Sequence, residues 1–144
     1  MVDILHRIGV KNGTPEAAYQ AIATRDGVAS WWIGEAKGDD TVGGILDFGA
    51  DIKAKVVELR PHEYVDWEVV EGPDEWLGTH ITFDIRQDDD YTIVLLKHRG
   101  WAEPVEFMHH CSTKWGVFMI SLKQLLETGA GTPTPNDPHV DNWA

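Results

Sequence analysis

Cysteine is almost missing from this chain: Cys111 stands alone among 144 residues. One thiol forms no internal disulfide and supplies no multi-cysteine zinc site, which agrees with a reducing compartment. Long apolar runs are missing too. The first ten residues, MVDILHRIGV, alternate apolar and polar side chains and are interrupted by charge, so they read neither as a signal peptide nor as a membrane span. The expectation is a cytoplasmic protein with no membrane insertion. Positive charge is also scarce, with 12 Lys and Arg against 24 Asp and Glu and a formal net charge of −12. Lys53, Lys55 and Arg60 are scattered among apolar and acidic neighbours, so no basic stripe offsets the repulsion of a polyphosphate. Nucleic acid and anionic membrane surfaces are therefore poor partners, and most of the acid reads as solvated exterior.

What is present suits one core. With 42% hydrophobic residues, a chain of this size buries roughly 70% of its unfolded surface as a single domain over 1–144. Residues 3–10 alternate as a first strand. Thr14 then offers an N-cap, Pro15 the first helical position and Glu16 a first-turn acid, so a short helix starts there. Arg25-Asp26-Gly27 reads as its break, and Val28 to Trp32 as a second short helix. From Gly34 to about Trp101 the period changes to two, with turn signals that include EGPDE and QDDD, which suits an antiparallel meander of about six strands. Alternation puts Leu46, Phe48, Val65, Trp67, Val69, Ile81, Phe83 and Ile85 inside and Asp66, Glu68, Thr82 and Asp84 outside. His80 falls on the outer face beside Thr82. The strand from Tyr91 to His98 is apolar on both faces, and Val94, Leu96 and His98 are the favoured inner set.

Helical spacing returns at about 105–127 and ends at Gly129. At 100° per residue, Phe107, Met108, Cys111, Trp115, Phe118, Met119, Leu122, Leu125 and Leu126 form one stripe about 120° wide. Cys111 lies in it and reads as a small core hydrophobe. His109 and His110 point away. Because consecutive helical residues diverge, His109-His110-Cys111 is not a metal cluster, and no metal or other cofactor is expected. The two histidines, Thr113, Val117 and Ile120 form a weaker outer strip. Either the irregular tail 129–144 with Trp143 covers it, or a second subunit does, or it is partly exposed.

The order of elements, with VVELRPHEYVDWEVV (56–70), GTHITFDI (78–85), TIVLLKHRGW (92–101) and TKWGVFMISLKQLLE (113–127), resembles the START-like SRPBCC superfamily. Its branch named after activators of the heat-shock-protein-90 ATPase is the most similar. The resemblance covers nearly the whole chain and implies an α+β helix-grip fold, as in birch-pollen-allergen-like proteins: a curved antiparallel sheet of about seven strands wrapped around the long C-terminal helix. It also implies a deep apolar cavity between the two. Members bind lipids, hormones, polyketides or other hydrophobic molecules, and some are cyclases or aromatases. No catalytic motif defines the superfamily, so no catalytic residue is carried over. The chaperone-stimulating relatives have an additional N-terminal domain that these 144 residues do not include, which weakens a chaperone partner.

Seven tryptophans are an unusual supply of large rigid surface. Trp67 and Trp115 should converge, with Trp32, Phe48, Phe83, Trp101, Phe107 and Cys111 near one end of the same cavity and His98 as its polar group. Binding of a small hydrophobic ligand by a monomer or homodimer is the leading reading. A cyclase, dehydratase or hydrolase using His98 as base is the alternative, although no paired carboxylate or nucleophile supports an enzyme. A third reading is an acidic module that docks on a chaperone or other protein.

Overall fold

A computed structural model describes residues 1–143. Strand β1 (Val2–Lys11) is followed by helices α1 (Pro15–Ala23) and α2 (Arg25–Trp31). Six strands follow: β2 (Lys37–Gly38), β3 (Ile45–Asp47), β4 (Lys53–Arg60), β5 (Tyr64–Glu71), β6 (His80–Asp88) and β7 (Tyr91–Trp101). The long helix α3 (Glu106–Thr128) completes the order. The strands make one antiparallel sheet in the order β1-β7-β6-β5-β4-β3-β2, curved around α3 as a helix-grip α+β fold.

Local signals explain the boundaries. Thr14 Oγ1 accepts the Ala17 N–H at 3.1 Å ahead of Pro15, and Gly129 ends α3 with a φ of 90° that suits glycine. Arg25-Asp26-Gly27, expected to break the helix, instead forms the first turn of α2. Thr24 alone separates the helices: in extended backbone, its Oγ1 accepts the Gly27 N–H at 3.0 Å. Gly27 is there for close approach, since a Cβ would sit 2.4 Å from the Ala21 carbonyl oxygen.

Register sets what reaches the interior. Ile81 pairs with His98, Phe83 with Leu96 and Ile85 with Val94, and all six are buried. Strict alternation would then turn Trp101 outward. Val2 pairs with Trp101 and Ile4 with His98, so two residues of β7 oppose one of β1 in a β-bulge. Gly100 takes a φ of 91° there and donates its N–H to Asp3 Oδ1 at 3.0 Å. The bulge resets the phase, and both His98 and Trp101 face inward. On the opposite face, Thr82 and Asp66 are buried rather than solvated. Thr82 is flanked by Asp66 and Lys97, whose longer side chains stand on the same face.

Candidate functional site

At one end of the interior the aromatics pack without space. Phe48, Trp67 and Phe83 are completely buried, with the Trp67 ring 5.2 Å from each of the other two. Expected near the ligand, these three do not line the cavity described below. They stand behind it, with Trp32 between them and the open end at 4.4 Å from Phe48. Trp101 also lies outside the cavity wall, packed on His98 at 5.2 Å and on Phe107 at 6.1 Å.

His98 is a sealed histidine rather than the pocket's polar group. The Trp115 indole N–H donates to its Nδ1 at 3.1 Å. The Thr79 hydroxyl gives its one proton to the Trp76 carbonyl at 2.6 Å, so it accepts from His98 Nε2–H at 2.8 Å. Both ring nitrogens are satisfied, the Nε2–H tautomer is specified, and burial pulls the pKa down to about 3. A base must reach a substrate proton. No wall of the cavity exposes this imidazole, and the expected role of His98 as general base has no geometry here.

The cavity opens along one edge of the α3 stripe and measures about 340 Å³. From α3 come Phe107, Cys111, Lys114, Trp115 and Phe118, and from the end of α2 come Trp32 and Ile33. The β3–β4 connection adds Ile52, and the turn before β6 adds Pro73 and Trp76. Of the expected ligand residues, Trp32, Phe107, Cys111 and Trp115 are on this wall. Trp76 was hidden in a segment rich in turn residues, GPDEWLG. Its short 3-10 turn, Asp74–Trp76, lays the indole near-parallel to Trp115 at 6.3 Å and edge-on to His98 at 4.6 Å. A large aromatic inside a Gly-Pro loop was the available signal. Burial pushes the Cys111 thiol up to about 11, only partly opposed by the Trp76 N–H beside it, so the sulfur is not a nucleophile. Trp76 Nε1 is buried, and the weak acceptor sulfur of Cys111 is the group beside it.

Residues 12–127 match the family described as activator of Hsp90 ATPase homolog 1-like protein. The chain belongs to this AHSA1 family. It is 39% identical to the Aha1 dimer of Colwellia psychrerythraea, known from a solution structure, over 91% of this chain and 100% of that one, with a TM-score of 0.81. CalU16 from Micromonospora echinospora shares the fold at 16% identity and a TM-score of 0.81, over 99% of this chain and 75% of that one. DynU16, a protein of the dynemicin biosynthetic locus, does so at 17% and 0.71, over 90% of this chain and 48% of its own. None of the curated proteins matches the chain.

The matched AHSA1 segment ends at 127, and the tail beyond it runs beside the cavity, where Thr134 joins the wall. Thr134 donates its N–H to the Trp32 carbonyl at 2.8 Å and accepts the Gly34 N–H at 3.1 Å, which seats the tail beside Ile33. Lys114 Nζ donates to Asp137 Oδ2 at 2.8 Å, and His110 Nδ1 meets Asp141 Oδ2 at 2.7 Å. Trp143 closes on His110 at 5.1 Å and on Phe107 at 6.3 Å. Burial raises the Asp137 pKa, but hydrogen bonds from Lys114 and Thr134 outweigh it and the net shift is down. The hydrogen bond with His110 likewise lowers Asp141. His110, expected to point away from the site, lines the cavity and stacks on Phe107 at 5.9 Å. The helix wheel accounts for this: Lys114 and His110 lie roughly 20° and 60° beyond the Phe107 edge of the stripe, where the cavity is centred. Among the described residues no three His, Cys, Asp or Glu side chains gather as metal ligands, and no helix is long and apolar enough to cross a membrane.

Proposed function

We propose that this protein binds a small hydrophobic molecule, aromatic or lipid-like, in the cavity beside α3, and that it does so as a cytoplasmic single-domain protein. The observation that supports this reading is the cavity itself: about 340 Å³ walled by Trp32, Trp76, Phe107, Trp115 and Phe118, within the size range of small-molecule pockets. Rigid aromatic walls lose little side-chain entropy on binding and give large contact area. Phe48, Trp67, Phe83, His98 and Trp101 act in this reading as the packed support that holds the wall.

Thermal unfolding against a panel of apolar probes, followed by intrinsic Trp fluorescence, is the test. A probe at 100 times its dissociation constant stabilises the folded state by about 2.7 kcal/mol and raises the midpoint by several degrees. Cys111→Leu, which pushes a larger side chain into the space, abolishes the shift. A panel without any shift, or one equally effective on Cys111→Leu, sinks the proposal.

Self-association is a second reading, supported by the dimeric state of the Colwellia relative. An open groove lined by His6, Ser112, Gly116, Val117 and Ile120 runs along the back of α3, and Ile120 is 49% exposed. A second copy laid on this groove would cover it. Light scattering then gives twice the 16.1 kDa chain mass, and Ile120→Asp returns the monomer; a monomer at every concentration removes this reading.

A further inference from the structure

We infer that the cavity takes an apolar ring or chain ending in a carboxylate, and that Asp137 of the tail is the built-in competitor for the ammonium that receives it. This rests on the proposal that the cavity is a binding site and adds the chemistry of the ligand's polar end.

Charge distribution is the first observation. The chain carries a net charge of −12, yet among the described residues no Asp or Glu lines this cavity, whereas Lys114 and His110 do. The wall itself contributes no carboxylate to repel an anion; the acids that meet Lys114 and His110, Asp137 and Asp141, reach them from the tail. Hydrogen-bonding capacity is the second. Lys114 Nζ has three N–H donors and uses one, on Asp137. The wall therefore offers donors, and a carboxylate, which only accepts, is the group that complements them.

Position is the third observation. Lys114 stands between the cavity and a smaller recess under the tail lined by Thr134, Pro135, Asp137, Val140 and Trp143. Its ammonium lies 5.1 Å above the Phe118 ring and is held on the tail side by Asp137. A Lys side chain is a flexible stem with a compact charge, so the same ammonium serves either the tail carboxylate or a ligand carboxylate on the cavity side. Each then weakens the other, and the coupling is reciprocal. Ligand entry loosens the tail, and loss of Asp137 tightens the ligand. Asp137 lies beyond the matched segment 12–127, so this competition belongs to the chain's own tail.

The experiment compares 2-naphthoate with its uncharged counterpart 2-naphthylmethanol on the full chain, by calorimetry or Trp quenching. Wild type binds naphthoate more tightly, and added salt weakens naphthoate alone. Asp137→Asn tightens naphthoate by about fivefold or more and leaves naphthylmethanol unchanged. Lys114→Met removes the preference for naphthoate, and Lys114→Arg keeps it. Should Lys114→Met fail to fold, the salt series and Asp137→Asn still decide. Equal binding of the two probes, with no effect of salt or Asp137→Asn, overturns this inference while the binding-site proposal stands. Binding of neither probe overturns the inference, and silence of the whole apolar panel as well removes the site itself.

Discussion

The two ends of the interior are built from the same residue types and behave differently. Around Trp67 the walls are strands: neighbouring rings are set by cross-strand register, and Phe48, Trp67, Phe83, Ile81 and Leu96 leave no space. Around Trp76 the walls are a helix edge, a 3-10 turn, a loop and the tail, and a cavity of about 340 Å³ remains. Regular elements bring side chains together at fixed spacings that fill space. Loops meet at spacings of their own, and the space between them is where a ligand fits.

The largest effect should come from cutting into each end. Trp67→Ala, at a completely buried position, lowers stability by about 3–5 kcal/mol in urea unfolding, and Phe107→Ala, half-buried at the cavity wall, by roughly half of that. Equal losses would break the comparison.

His98 gives the next largest. Its folded-state pKa, about 3, lies below the ordinary 6.5, so the unfolded chain binds the proton first as pH falls. Its contribution is whole well above pH 6.5 and declines towards pH 3, with about 1.6 kcal/mol lost between pH 6.5 and 5. His6, also lowered mainly by burial, adds the same sign. Denaturant unfolding of wild type and His98→Gln at both pH values therefore isolates His98 as the difference, and an identical pH dependence would show that the ring is not sealed.

Thr82→Val probes the convex side of the packed end. The Thr82 hydroxyl is buried without a partner, and replacing it with an apolar group of the same shape raises stability by about 1 kcal/mol in the same assay. A loss would mean that the hydroxyl is satisfied. The smallest effect is expected at the exposed back of α3, where Ile120→Ser changes stability by less than about 0.5 kcal/mol in the monomer; a larger loss that grows with protein concentration would reveal subunit contact there.

Much of the fold was legible. The Thr14-Pro15-Glu16 start, the six-strand meander, the inner faces of β5 and β6 and the apolar stripe of α3 all follow from caps and periodicity, which are local properties. The boundary at Gly27 was misread because close helix packing and helix breaking call for the same residue. The candidate site was half legible. Trp32, Phe107, Cys111 and Trp115 sit on elements whose buried face the pattern reveals, but Trp76 sits in a turn and His110 and Lys114 beyond the stripe. No period points to such residues.

By itself the sequence determined the elements, the inward faces and the acidic exterior, because each depends on spacing along a few turns or one strand. Only the tertiary structure decided that His98 is enclosed by Thr79 and Trp115, that the Gly100 bulge turns Trp101 inward, and that the tail brings Asp137 to Lys114. Those contacts join residues distant in the chain, and their geometry exists only after the sheet has closed around α3.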